Sequence, residues 1–404
     1  MKNTTTKNWG ADVFPLLSWF RAEQVKNARV MVAGAGALGN EALKNLALFG
    51  VGNIIVVDFD KIEYSNLTRS VLFREEDADK GLYKADVAAK RIKEINPTIN
   101  VQAICGNLAT DVGLGVYRRM DVVLGCLDSL MARLLLNRLC FRAGKTWIDG
   151  GIGDLEGEVT GYRTEVNCYE CTLTKEEEKE LEVRMSCAGV TRDNESFGRI
   201  ATTPVIASII AAIQVQEAMK IIHEKTLDKE EFTLLTGKTF HYDGMHPAVE
   251  IYDSALYKEE CLSHEQWKNI IEIPNLSADN TVEQALNIIK ETLQVEEVEI
   301  NMRNDKFVDK IVTRSDNRKF YPMLPDSKIH QYIDASMELK DISFLEGGLY
   351  QNEFKDIDQT FPYPDLTLKQ TGIPYLDVLQ VATEKGYAYV ELSGDVGRYK
   401  NLFG

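Results

Sequence analysis

Residues 29–69 read RVMVAGAGALGNEALKNLALFGVGNIIVVDFDKIEYSNLTR, and the rest of the chain is best read outward from them. The apolar run 29–33 has the composition of a buried strand. It meets Gly34, Gly36 and Gly39, after which apolar residues recur at helical spacing through Leu43, Leu46 and Ala47. A second apolar run, 53–57, ends on Asp58, 19 residues beyond the last glycine. This is a βαβ unit with the G-x-G-x-x-G fingerprint of a nucleotide site. The glycines let the backbone approach a phosphate, the helix N-terminus supplies unpaired N–H groups, and Asp58 can accept from ribose hydroxyls. The fingerprint alone most often belongs to a nicotinamide or flavin oxidoreductase. The following residues, Asp58, Asp60, Asn66 and Arg69, shift that balance. An uncharged nicotinamide has no use for two acids, an amide and a guanidinium beyond the strand end, whereas a triphosphate with its metal does.

The chain has 404 residues, long enough for two domains. Its 46 basic against 62 acidic residues give a net charge of −16, which disfavours non-specific nucleic-acid binding. No apolar segment resembling a signal peptide opens the chain. The most apolar stretch, 203–222, contains Gln214, Gln216 and Glu217, and is expected to be a core or interface helix rather than a membrane span. Seven cysteines, an odd number without an export signal, point to a reducing compartment and a cytoplasmic protein.

Strand and helix patterns alternate up to about residue 250, which predicts an α/β architecture with a Rossmann-like, doubly wound and mostly parallel sheet. An amphipathic helix is expected over 12–28 through Leu16, Leu17, Phe20 and Val25. Beyond about residue 265 the pattern becomes that of a small α+β domain with one clear helix at 281–293. The expected boundaries are a first domain over 1–255, a linker at 256–268 and a second domain over 269–404. The second shows no catalytic constellation and reads as a docking module.

Three further features carry chemistry. Lys84 follows Gly81 at a helix start, in the same region as Arg69. Read alone it is a surface lysine, but two cations on one phosphate chain are what nucleotidyl transfer needs. Asp128 ends the strand predicted at 121–127, where ligands of open α/β sheets bind, and it suits either a Mg²⁺ ligand or a helix N-cap. Cys168 and Cys171 form a C-x-x-C, and Cys261 and His264 a C-x-x-H, the two pairs separated by 90 residues. These spacings fit a structural Cys₃His Zn²⁺ site; a redox C-x-x-C with an unrelated histidine is the alternative. Cys187, 16 residues after Cys171, follows an acidic run and lies between Arg184 and Arg192, which favour thiolate. Cys105, Cys126 and Cys140 fall in apolar runs and are expected in the core.

Taken together, GAGALGNEALKNLALFGVG, VVDFDKIEYSNLTRS, GLYKADVAA and CLDS resemble, in order, the motifs of the ThiF/MoeB and ubiquitin-activating superfamily, over about residues 25–245. The resemblance implies an adenylyltransferase that activates the C-terminal carboxylate of a ubiquitin-like protein with ATP and Mg²⁺. It places Gly34, Gly36 and Gly39 on the phosphates and Asp58 on the ribose. It puts Asp60, Asn66, Arg69 and Lys84 on the triphosphate, with Asp128 holding Mg²⁺. It also implies Cys187 as the nucleophile of a thioester, carried on a loop at about 172–202, and a homodimer. Sulfur-carrier activators of the same superfamily form no obligatory thioester, and a non-catalytic modifier-binding subunit is a third reading. Ser70 stands where the family usually has glutamine. The arginine that bacterial members carry before the first strand is missing, Arg21 being the nearest. The late stretch LTLKQTGIPYLDVLQVATEKGYAYVEL, 366–392, resembles the end of the ubiquitin-fold domain that recruits a conjugating enzyme. No cysteine follows Cys261, which excludes a rhodanese-like appendage.

Overall fold

The computed structural model describes residues 13–177, 179, 202–226, 232–254, 257–302, 305–313, 316–335 and 349–403. The first domain is built on one eight-stranded sheet. Its strands are β1 (Arg29–Ala33), β2 (Asn53–Val57), β3 (Asn100–Ile104), β4 (Val122–Gly125), β5 (Trp147–Ile152), β6 (Glu156–Tyr162), β7 (Lys238–Asp243) and β8 (Ala248–Asp253), in the order β3-β2-β1-β4-β5-β6-β7-β8. The five strands from β3 to β5 are parallel, as the βαβ pattern requires, and the last three join antiparallel. Only residues 153–155 separate β5 from β6, too few for a crossover, so the chain turns back on itself. Strand order reverses between β1 and β4, which creates a switch-point crevice at their C-terminal ends.

Alternate residues of β1 and β2 enter different cores. Val30, Val32, Ile54 and Val56 pack with α2 (Ala37–Phe49), α4 (Lys84–Ile95) and α8 (Pro204–His223). Met31, Ala33, Ile55 and Val57 pack on the opposite face with α5 (Leu114–Arg118) and α6 (Leu130–Ala143). Both faces are covered, which is why these strands read as unbroken apolar runs. (The short helices α1, α3 and α7 span Ala22–Asn27, Glu75–Asp79 and Tyr169–Thr172.) Helix α8 is long and apolar enough to cross a membrane by composition. Its fully buried Gln214 nevertheless donates to Gly125 O (2.9 Å) and Ile148 O (3.1 Å), and its Glu217 accepts from Leu235 N (2.8 Å). It is a core helix whose polar groups are satisfied by the sheet and its flanking loop. The helix expected over 12–28 is reduced to a 3-10 turn, Phe14–Leu16, and α1, and Leu16 is 81% exposed. The chain turns through Ser18 and Trp19 instead of running on, so of the four expected apolar positions Phe20 and Val25 are buried while Leu16 and Leu17 are exposed.

The C-terminal region is α+β, with helix Val282–Leu293 closed by a Thr281 capping box. It holds two sheets. One combines β9 (Ile271–Glu272), β10 (Glu299–Asn301), β15 (Asp356–Ile357), β16 (Val378–Thr383) and β17 (Gly386–Glu391). The other combines β11 (Phe307–Thr313), β12 (Lys319–Phe320), β13 (Leu324–Pro325) and β14 (Leu349–Phe354). This region is joined to the first domain by an apolar seam: Leu376, Val378, Tyr399 and Leu402 complete the core beneath β1 and β2. Gly115 N donates to Leu376 O at 2.9 Å, and the Asp377 carboxylate accepts from Leu114 N at 2.8 Å, capping α5 from the other domain. Arg118 and Arg119 both pair with Glu391, whose side chain is fully buried. The second domain is therefore part of the first domain's fold as well as a separate core.

Burial pushes the Asp377 carboxyl up to about 6, against an ordinary value of 3.8. The folded chain holds this proton over a pH range in which the unfolded chain has lost it. The contribution is complete below about pH 4 and is lost as pH rises through 6, a change of about 3 kcal/mol. Asp377→Asn, which cannot titrate, is expected to remove this slope. Urea unfolding between pH 4 and 6.5 checks it, since parallel curves for the two proteins would contradict the burial argument.

Candidate active site and metal centre

The glycine loop sits at the switch point between β1 and β4. Gly34 has φ +98°, and a Cβ there would stand 2.2 Å from Cys126 O. A Cβ on Gly39 would stand 2.0 Å from Gly34 O, so neither position admits a side chain. Gly36, which precedes α2, faces open space, with nothing within 4 Å of its would-be Cβ. The three glycines thus divide as a phosphate loop requires: two allow close backbone packing and one leaves room for a ligand at a helix N-terminus.

Asp58 is tied to this loop. Its Oδ2 accepts from Ala35 N (2.7 Å) and its Oδ1 from Asp60 N (2.8 Å). Each oxygen retains a second lone pair for a ribose hydroxyl. Burial pushes its carboxyl up, opposed by the nearby Lys84 ammonium and by these backbone N–H groups. Lys84 opens α4, where its own N–H donates to Asp60 O (2.9 Å) and its Nζ pairs with Asp60 Oδ2 at 2.7 Å. It is a mostly buried lysine and not the surface residue that position alone suggests.

Asn66 ends a 3-10 turn, its Oδ1 accepting from Glu63 N (2.9 Å). The half-buried Arg69 donates to Ser65 O (2.8 Å) and has no carboxylate partner among the described residues. What draws this segment to the glycine loop is Asn40, which the sequence reading did not single out. Fully buried in the first turn of α2, it donates to Ala35 O (2.7 Å) and Gly36 O (3.0 Å) and accepts from Leu72 N (2.9 Å). Its only sequence signal is an amide directly after the last glycine.

Asp128 lies three residues past β4, across the crevice from Gly34–Gly36. Its side chain is exposed, with no hydrogen bond or ion pair among the described residues. The helix cap is Ser129, whose hydroxyl accepts from Ala132 N at 3.2 Å, so the N-cap alternative for Asp128 fails. Cys126 and Cys140 are buried as expected, but Cys105 is exposed. It falls one residue beyond β3, where partial desolvation by its neighbours and the adjacent Asp86 push its thiol up to about 11. Arg21 is remote. The adjacent Phe20 stacks on Phe49, at the far end of α2, so 13 helical residues, about 20 Å, separate it from the glycine loop. Cys187 lies outside the described residues.

The second cluster is separate and lies against the C-terminal half of α6. Sγ of Cys168, Cys171 and Cys261 and a ring nitrogen of His264 all lie within 4.8 Å of one another. Cys168 Sγ is 3.6 Å from Cys171 Sγ and 3.7 Å from Cys261 Sγ, and Cys171 Sγ is 3.4 Å from His264 Nε2. The His264 ring is stacked between Phe141 and Tyr257, which fixes its plane. Three convergent sulfurs and one oriented imidazole are the donor set of a tetrahedral Zn²⁺ site. A two-cysteine redox motif gives no reason for Cys261 and His264 to close on the same point.

The sequence model of the ThiF family matches residues 8–263. The chain is 32% identical to the SAMP-activating enzyme E1 of Haloferax volcanii over 224 residues, 55% of this chain and 76% of that protein. It is 32% identical to the sulfur carrier protein adenylyltransferase of Thermus thermophilus over 206 residues, 50% of this chain and 71% of that protein. A match to SUMO-activating enzyme subunit 2 of Dictyostelium discoideum, 34% identical, takes in 37% of this chain but only 22% of that protein. Among solved structures, E. coli MccB with ATP shares the fold, with a TM-score of 0.51 at 22% identity, covering 65% of this chain and 75% of that one.

Proposed function

Since the chain belongs to the ThiF family, we propose that it adenylates the C-terminal carboxylate of a ubiquitin-like protein with ATP and Mg²⁺. The observation that carries this reading is the switch-point crevice. An open glycine cradle there shares one rim with Asp58, Asp60, Lys84 and the uncommitted Arg69, and Asp128 stands on the other. The cradle and the N-terminus of α2 would hold the phosphates, and Asp58 the ribose. Asp128 would hold Mg²⁺, which supplies charge neutralisation along the phosphate chain. The modifier's carboxylate is ionised and needs no general base. Its oxygen attacks the α-phosphorus, the bond to the β-phosphate oxygen breaks, and pyrophosphate leaves. The barrier is the meeting of two anions, which Arg69 and Lys84 offset from fixed positions.

The second step of the reading is transfer to Cys187. Its thiolate attacks the adenylate carbonyl, the thioester forms and AMP departs. A conjugating enzyme would then accept the modifier, recruited by the C-terminal domain, which has no catalytic constellation among its described residues. Arg21, about 20 Å from its own glycine loop, suits a role at a partner's site in a homodimer. The cytoplasm, where the thiols stay reduced, is the compartment this chemistry needs.

A non-reducing gel with ATP and candidate modifiers tests the thioester step. The expected result is an adduct that dithiothreitol removes and Cys187→Ala abolishes. ATP–pyrophosphate exchange without any adduct would instead identify a sulfur-carrier activator, the reading favoured by the similarity to the Thermus protein.

A further inference from the structure

Arg133 is four-fifths buried, one turn into α6, and its side chain reaches back past the helix N-terminus. One terminal nitrogen donates to Leu127 O at 3.0 Å and approaches Gly150 O at 3.4 Å. Asp149, nine-tenths buried within β5 and paired with Gly125 at the end of β4, lies 3.4 Å from Nε as an ion pair. The Tyr169 side chain also interacts electrostatically with the guanidinium. A buried arginine costs several kcal/mol in desolvation, and an apolar residue would fill the same space more cheaply. What arginine supplies is a rigid planar cation that ties the loop after β4 to β5.

Leu127, whose carbonyl accepts from Arg133, is the residue immediately before Asp128. The Asp128 side chain has no hydrogen bond or ion pair among the described residues, so its place over the crevice is set by the main chain around it. The anchors are Cys126 N on Ala33 O (2.8 Å), the Ser129 cap and the Arg133 bond to Leu127 O. The next turn of α6 is tied to the thiol cluster. There the fully buried Asn137 accepts from Tyr169 N (3.1 Å) and Trp147 Nε1 (3.2 Å), and its amide lies 3.6 Å from Cys168 Sγ.

We propose that Arg133 is a positioning residue that holds the loop bearing Asp128 in place for the metal–nucleotide complex, with the Asp149 carboxylate as the counter-charge beside its guanidinium. The metal role of Asp128 rests on the adenylation reading; the loop geometry does not.

Arg133→Lys keeps the charge and loses the planar guanidinium. Hydrogen exchange of the full-length protein is expected to show residues 127–132 exchanging about 10-fold faster, with protection elsewhere in the sheet unchanged. The Mg²⁺ concentration that half-saturates ATP–pyrophosphate exchange should rise about 10-fold, as for loss of a group that orients a metal ligand. Asp128→Asn should raise it as well, and the double variant should fall short of the product of the two effects. Asp149→Asn, which frees the guanidinium without removing it, should act in the same direction and serves if the lysine variant does not fold. Unchanged protection at 127–132, or a loss spread over the whole sheet, would overturn the proposal. Absence of exchange in the wild-type protein, with the loop effect intact, would count against the adenylation reading alone.

Discussion

Arg69→Ala is expected to lower modifier-dependent ATP–pyrophosphate exchange by about 10²- to 10³-fold while leaving the melting temperature nearly unchanged. The split follows from how the guanidinium is held. Among the described residues its one bond is to Ser65 O at 2.8 Å, and no carboxylate there neutralises it. Truncation therefore removes little packing, and a half-buried position of this kind costs about 1 kcal/mol or less in stability. The same charge is worth far more where the phosphorus becomes five-coordinate and the leaving pyrophosphate concentrates negative charge. Lys84 makes the contrast. It is committed to Asp60 at 2.7 Å and lowers the carboxyl of Asp58, so Lys84→Met should cost both rate and stability. With the ammonium gone, burial pushes Asp58 further up, and a protonated Asp58 grips the N–H groups of Ala35 and Asp60 less strongly. Loss of stability in Arg69→Ala comparable with that in Lys84→Met would show that Arg69 is structural.

The second large effect is expected from the thiol cluster. The purified protein should carry about one zinc per chain, and Cys168→Ala combined with Cys261→Ala should abolish it. Structural zinc binding is worth about 10 kcal/mol or more in small domains, so its loss should lower the unfolding free energy by several kcal/mol here. The geometry says where that loss is felt. Cys168 and Cys171 are buried against Phe141 of α6, while Cys261 and His264 come from the segment that leads into the second domain. Glu170 is held by Arg138 and Ser263, and Glu265 by Arg142, so one helix face meets both halves of the cluster. The cluster brings together three sulfurs that zinc would hold as thiolates. Cys261 is pushed down to about 6 by the hydrogen bond it receives from Cys168, whose own thiol is pushed well up. A folded, stable wild-type protein free of metal would contradict the assignment.

The sequence made the first domain legible wherever function is local. The spacing of Gly34, Gly36 and Gly39 predicted a phosphate loop, and the structure gives each glycine a separate reason to be there. The paired spacers of Cys168/Cys171 and Cys261/His264 predicted one cluster, and the fold closes it. What could not be read was long-range. Asn40 acts through the Leu72 N–H and Arg133 through Gly150 O and Asp149, groups brought near by folding, and neither stands in a pattern that distinguishes it from an ordinary helical residue. Cys105 was misplaced because an apolar run does not show where its strand stops, and one residue decides between core and surface. The second domain read as a separate module because nothing local links Leu114 to Asp377, or Arg119 to Glu391. Only the exposed underside of β1 and β2, which needs a cover, explains why Leu376, Tyr399 and Leu402 are apolar.

The central claim is that this crevice activates a carboxylate at the end of a protein chain. It is tested most directly by ATP–pyrophosphate exchange with a candidate ubiquitin-like or sulfur-carrier protein, prepared once with a free C-terminal carboxylate and once as the C-terminal amide. The predicted result is Mg²⁺-dependent exchange with the acid and none with the amide. Equal exchange with both forms, or binding of NAD in preference to ATP with no exchange at all, would contradict it.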